Sequence, residues 1–185
     1  PESGEEAAKL GAQMMAFNYK PMDVQKEEYE QYKVKYVECH GRNPRPLLLT
    51  DMCICDSDAS RAKENSKYIA NYLLSVLHHY DLMGDHYKNA KGYEAYGDAV
   101  DALRETGKEG MMEAYVEGQI WGTPDQMLKK FEARKKEMGQ TDCLMAFRFA
   151  GIDYKTAQRS QKLFAEEVMP VLKSWEEDDA AEKAA

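Results

Sequence analysis

The residues of this chain best suited to chemistry stand where helices or strands start and end. In "PESGEE", Ser3 precedes a helical pattern, with Glu6 at the spacing of a capping box. Free backbone N–H groups and the helix dipole at such a start suit an anion; the plainer role for Ser3 is an N-cap. His78, His79 and His86, with Asp81 and Asp85 nearby, are metal-ligand types. Adjacent helical residues point to different sides, however, so they read as surface positions and no metal site is expected. His40, beside Cys39, suits the dipole at a helix end. Cys39, Cys53, Cys55 and Cys143 form no C-x-x-C pair, and Cys53 and Cys55 are badly placed to bridge each other, so a reduced, cytoplasmic chain is expected. No phosphate-binding glycine loop and no Ser/His/Asp order is present, which leaves phosphoryl transfer and hydrolysis without support.

The elements that would position these residues repeat one grammar of cap, amphipathic helix and apolar run. Gly11 ends the first helix, and "AQMMAF" follows as a buried strand. A helix over 22–40 carries Tyr29, Tyr32, Tyr36 and Cys39 on one face and stops at Gly41. "RPLLLTDMCIC" reads as the next strand, with Pro46 near its entry. Asp58 caps a long helix towards Tyr80, with Ala62, Ile69, Leu73, Val76 and Tyr80 inward. Residues 84–122 break the rhythm and read as an irregular, Tyr-rich insertion containing short helices. Thr123, Pro124 and Gln126 then form a sharply defined helix start, Met127, Leu128, Phe131 and Met138 its apolar stripe, and Gly139 its stop. Residues 142–149 read as a strand buried on both faces. Asp153 caps a last helix with Ala157, Phe164, Val168, Val171 and Leu172 on one side.

This order of helices and strands predicts an α/β fold with parallel strands and helices outside. The 185 residues suffice for one domain. The net charge of −8 and pI near 5.1, with no basic stripe, argue against a nucleic-acid partner. No apolar run of membrane-spanning length occurs, so no membrane association is expected. The acidic, alanine-rich residues 176–185 read as a disordered tail.

The stretch "GTPDQMLKKFEARKKEMGQTDCLMAFRFAGIDYKTAQRSQKLFAEEVMPVLKSW" resembles the C-terminal end of bacterial luciferase-like flavin monooxygenases. Three pieces carry the resemblance: the helix start at 122–126, the aromatic segment at 147–151, and "LFAEEVMP" at 163–170. "PESGEEAAKLG" is similar to the segment after the family's fifth barrel strand. The resemblance implies a partial (β/α)8 barrel over residues 1–175, roughly the last three βα units, where a complete barrel needs about 250 residues. It implies reduced FMN as cofactor, oxygen and a small organic substrate, and possible dependence on a separate flavin reductase.

Its expected cofactor-binding residues are Glu2, Ser3 and Gly4 at the flavin phosphate. Phe17, Asn18 and Tyr19 are expected along the ring. Arg148 is expected at a flavin oxygen or a substrate anion, the alternative being a surface ion pair. The alternative for the aromatics is core packing. No residue stands out as catalytic acid or base, because the cofactor carries such chemistry. The chain is either a fragment or a truncated relative; the competing function is a non-catalytic half-barrel for assembly or flavin binding. Unpaired edges and an apolar inner face, assigned to Met14, Leu48, Met52, Leu144 and Ala146, predict a homodimer or higher oligomer.

Overall fold

The computed structural model describes residues 2–81, 107 and 109–175. Helix α1 (Glu2–Lys9) leads to strand β1 (Met15–Phe17), and α2 (Met22–His40) to β2 (Leu47–Met52) and the short β3 (Ile54–Cys55). Helices α3 (Ala59–Asn65) and α4 (Lys67–His79) follow. After the undescribed segment come α5 (109–118), β4 (Trp121–Gly122), α6 (Pro124–Met138), β5 (Thr141–Ala146) and α7 (Tyr154–Leu163). The last helix continues through a π-helical turn, Phe164–Val168.

The sheet is parallel, in the order β1-β2-β5, as the sequence predicts. Its alternate residues face opposite sides. One side carries Ala16, Leu47, Leu49, Asp51, Cys143 and Met145, and there α1, α2, α6 and the C-terminal helix pack. Leu47 and Leu49 are fully buried there beneath Tyr29, Tyr32 and Tyr36 of α2, which explains that helix's tyrosine stripe. The other, inner side carries Met15, Leu48, Phe17, Thr50, Leu144, Met52 and Ala146.

β4 adds a topological feature. Alternate residues of a strand turn their N–H and C=O groups to alternate edges. Leu48 N–H donates to Met14 and Thr50 C=O accepts from Asn18, so even-numbered residues face β1. Ile54 and Asp56 continue that edge, donating to Ile120 and Gly122, while Cys53 on the opposite edge donates to Ala146. β4 therefore extends the line of β1 along one edge of β2–β3, with β5 on the other. Gly122 has φ +135°, and an added Cβ would lie 2.8 Å from Gln126 Oε1, so only glycine fits this strand-to-helix join.

Several expectations need correction. β1 and β5 are shorter than predicted and open on the inner side: Met15, Phe17 and Leu144 are exposed, because nothing described covers the lower half of that face. Met14 is on the helix side, packed against the tyrosine cluster, not on the inner face. The long helix breaks at Ser66, whose hydroxyl donates back to Lys63 C=O. Tyr80 and Cys39 are exposed. Ser3 lies within the first turn of α1, which already begins at Glu2. The described end of segment 84–122 is a helix and a strand. Its tyrosines up to Tyr96, His86 and the tail 176–185 lie outside the described residues.

Candidate functional site

Helix caps fix the ends at which functional side chains would gather. Thr123 and Gln126 form the predicted capping box: Gln126 N–H donates to Thr123 Oγ1 at 3.4 Å, and Thr123 N–H to Gln126 Oε1 at 2.9 Å. Pro124 takes the first turn. Asp58 and Asp153 cap α3 and α7 as predicted. Gly41 and Gly139, both at positive φ, end α2 and α6.

Phe17, Thr50 and Leu144 form one row across the inner face, in register on the three strands. Phe17 is 50% and Leu144 45% exposed, while Thr50 between them is buried. Beyond this row the face is closed by the chain itself. Met52 and Ile54 pack with Ile69 and Tyr72 of α4 and with Tyr115 and Val116 of α5. Phe149 joins that cluster edge-on to Tyr72.

Asn18 is buried and committed to neighbours. Its Nδ2 donates to Asp51 Oδ1 at 2.8 Å and Gly118 C=O at 2.7 Å, and its Oδ1 accepts from Gln25. Tyr19 is exposed on the rim, with Lys20 Nζ 5.7 Å from its ring. Glu2, Ser3 and Gly4 line a groove of about 480 Å³ that also includes Glu5, Lys20, Glu28, Lys35 and Glu38. Arg148 is exposed just past the end of β5 and lies 4.6 Å over the Tyr154 ring, with no ion pair among the described residues. Phe17, Asn18 and Tyr19 thus follow one another at the end of β1, the α1 start lines a separate groove with Lys20, and Arg148 lies past the end of the other edge strand.

An FMN-sized ligand fits these residues only in part. The Phe17–Thr50–Leu144 row offers an apolar wall for a flat ring. The α1 groove suits a phosphate poorly, because its carboxylates outnumber its lysines and both lysines are paired, Lys20 with Glu28 at 2.5 Å and Lys35 with Glu38 at 3.0 Å.

The most elaborate polar constellation is one that sequence reasoning missed. Asp51, fully buried on β2, accepts from Arg134 Nη1 and Nη2 at 2.7 and 2.8 Å, and Arg134 is itself 3% exposed. Gln119 joins it, accepting from Met52 N–H at 2.8 Å and donating to Asn18 C=O. Together these groups tie β1, β2, α6 and the approach to β4 into one buried network. The signal was an acidic residue inside "LLLTDMCIC": a carboxylate in a buried strand requires a cation.

A second carboxylate, Asp56 beyond β3, receives Arg61 Nη2 at 2.7 Å and the Asp58 N–H at 2.9 Å. Burial works to raise its pKa, but the bonds from Arg61 and Asp58 and the charges of Arg61 and Arg159 outweigh it, leaving the carboxyl below its ordinary value. Burial pushes the Cys55 thiol up to about 12 and raises Cys53 well above the usual range. All four cysteines are unbridged. Among the described residues no cluster of His, Cys, Asp and Glu could hold a metal, and no helix is long and apolar enough to cross a membrane.

No protein-family model and no curated protein matches this sequence. Solved structures do. A monooxygenase from Streptomyces bottropensis, RslO1, superimposes with a TM-score of 0.64 at 16% identity, over 93% of this chain and 45% of its own. The oxygenating constituent of 3,6-diketocamphane monooxygenase from Pseudomonas putida, a type II Baeyer-Villiger enzyme in complex with FMN, gives 0.64 at 17% identity, over 91% and 45%. The coenzyme F420-dependent tetrahydromethanopterin reductase from Methanopyrus kandleri gives 0.53 at 18%, over 90% and 47%. The chain thus spans less than half the length of these structures. With its parallel sheet and flanking helices, it has the fold of part of a luciferase-like (β/α)8 barrel.

Proposed function

We propose that residues 1–175 are the C-terminal part of a flavin-dependent, luciferase-like monooxygenase that uses reduced FMN and oxygen on a small organic substrate. The observation that carries this reading is the fold likeness, over nine-tenths of the chain, to monooxygenases of which one was solved with FMN. Bound flavin would supply the redox and oxygen chemistry. The chain's own residues bind and shield: Phe17 and Tyr19 border the ring, Asn18 holds that rim in place through Asp51 and Gln25, and Arg148 meets an anionic group. Glu2, Ser3 and Gly4 are the phosphate-facing part, weakened by the carboxylates around them. The reading is compatible with a separate reductase as electron donor and with a cytoplasmic setting.

A second reading, a non-catalytic half-barrel serving assembly, is favoured by one observation. Helices α4 and α5 fill the inner face at the strand ends, where barrel enzymes place their active sites. In the assembly reading the exposed Met15, Phe17 and Leu144 are covered by self-association, as a homodimer or higher oligomer, and in the flavin reading self-association covers what the ring leaves open, Met15 foremost.

Fluorescence titration with FMN and with riboflavin separates the two. The flavin reading expects saturable quenching by both ligands, weak because a one-sided wall buries little of the ring, and lost in Phe17→Ala. A folded chain that quenches neither flavin at millimolar concentration leaves only the assembly role.

A further inference from the structure

Thr50 stands in the middle of the inner face, between Phe17 of β1 and Leu144 of β5. We propose that its hydroxyl is the hydrogen-bonding anchor for a flat, uncharged ring bearing a carbonyl group, laid against the Phe17–Thr50–Leu144 row. The inference rests on the flavin reading for its setting, since the flavin ring is one such ligand and a carbonyl-bearing substrate another.

The strand leaves this hydroxyl nothing to bond. Both neighbours in the row are apolar, as are Leu48 and Met52, two residues away on the same face of β2. The backbone of β2 is taken up by its ladders; Thr50 C=O, for one, accepts from Asn18 N–H at 3.1 Å. Thr50 is 7% exposed, and its hydroxyl has no hydrogen-bond partner among the described residues. Such a group can donate one bond and accept two, and a buried hydroxyl that makes none costs stability. Valine has the same shape and would fill this place without that cost, so packing alone does not account for a threonine here.

The surroundings set the class of ligand. Phe17 and Leu144 are half-exposed, so a ring resting on both brings a carbonyl at its edge to Thr50. Met52, the next residue on this face, is closed under Ile69 and Tyr72, which bounds the ligand on the strand-end side. Charge is scarce. Asp142, a row below beside Leu48, is already held by Gln13 at 2.6 Å and Arg45 at 3.4 Å. The row itself offers no cation, so an anion laid there would lose its hydration without compensation. A neutral carbonyl needs only one donor, which Thr50 supplies.

The test is equilibrium dialysis of the full chain against lumiflavin, which has the flavin ring without its phosphate arm, and against acetophenone, with benzoate as the anionic control. Thr50→Val deletes the hydroxyl and keeps the volume. It should weaken whichever ring binds by about 2- to 10-fold, the worth of one hydrogen bond. It should also raise the melting temperature of the unliganded protein by roughly 2–4 °C, because an unpaired hydroxyl is removed. Thr50→Ser, which retains the hydroxyl, should keep most of the affinity. Benzoate should bind at least ~10-fold more weakly than acetophenone. Acetophenone binding that depends on Thr50, with no binding of lumiflavin, would uphold the anchor and count against the flavin reading. Lumiflavin binding indifferent to Thr50→Val would keep the flavin reading and overturn the anchor. A Thr50→Val variant that melts below the parent, benzoate binding as tightly as acetophenone, or a folded chain that binds neither ring up to its solubility would each overturn the anchor as well.

Discussion

Replacing Arg134 by Met is expected to cost about 3 kcal/mol of folding stability, towards the low end of the 3–5 kcal/mol typical when a buried ion pair loses one partner. The structure sets where in that range it falls. Asp51 is fully buried and loses both guanidinium bonds, yet Asn18 Nδ2 at 2.8 Å still donates to it. Asp51→Leu should cost at least as much, because it strands a guanidinium that is 3% exposed. The double variant, Asp51→Leu with Arg134→Met, removes both charges, and Asn18 keeps Gly118 C=O at 2.7 Å. Its loss should therefore be far smaller than the sum of the singles, with a coupling of ~2 kcal/mol or more. Urea unfolding of the four proteins measures this, and the single variants should melt lower by roughly 6–12 °C for a domain of this size. Additive single losses, or an Arg134→Met loss under ~1 kcal/mol, would refute the view that this pair holds the sheet to α6.

Leu144→Asp should leave the monomer folded, since that side chain is 45% exposed, but should abolish self-association in light scattering; an unfolded variant would show that Leu144 belongs to the monomer's own core. Asp56 has a depressed pKa in the folded state, so the stability it contributes is present above the ordinary carboxylate pKa and is lost as pH falls through the folded value. Arg61→Gln should therefore narrow the stability gap between pH 6 and pH 3, read by thermal melts at both. Exposed Cys39 should react with a thiol reagent at pH 8 in the native protein, while Cys53 and Cys55, buried and held protonated, should react only on unfolding; mass spectrometry of the labelled peptides checks the order.

Local chemistry was legible in the sequence. The bounds of α2 follow from an apolar stripe and a glycine stop. The Thr123 capping box and the Asp58 and Asp153 caps involve partners within three residues, so their spacing suffices to find them. What escaped depends on distant partners. β4 is two residues long, too short for any period, and exists only because Ile54 and Asp56 offer it N–H groups. Asp51 announced a buried cation but not which one, and Arg134 looked like one more charge on an amphipathic helix. The site residues divide in the same way. Phe17 and Tyr19 stand at a strand end as expected, whereas the burial of Asn18 depends on Gly118 and Asp51, far along the chain.

The central position of β2 has a consequence during synthesis. Its second sheet partner, β5, is encoded about 90 residues later, as the pairing of Met52 with Ala146 requires. At ~5–20 residues per second, that interval lasts roughly 5–20 s. Throughout it the nascent "LLLTDMCIC" has one edge unpaired and a carboxylate without its arginine. A charged side chain on an unpaired edge disfavours pairing with another chain, so the residue that anchors the finished sheet is also of the type that opposes such pairing in the unfinished one.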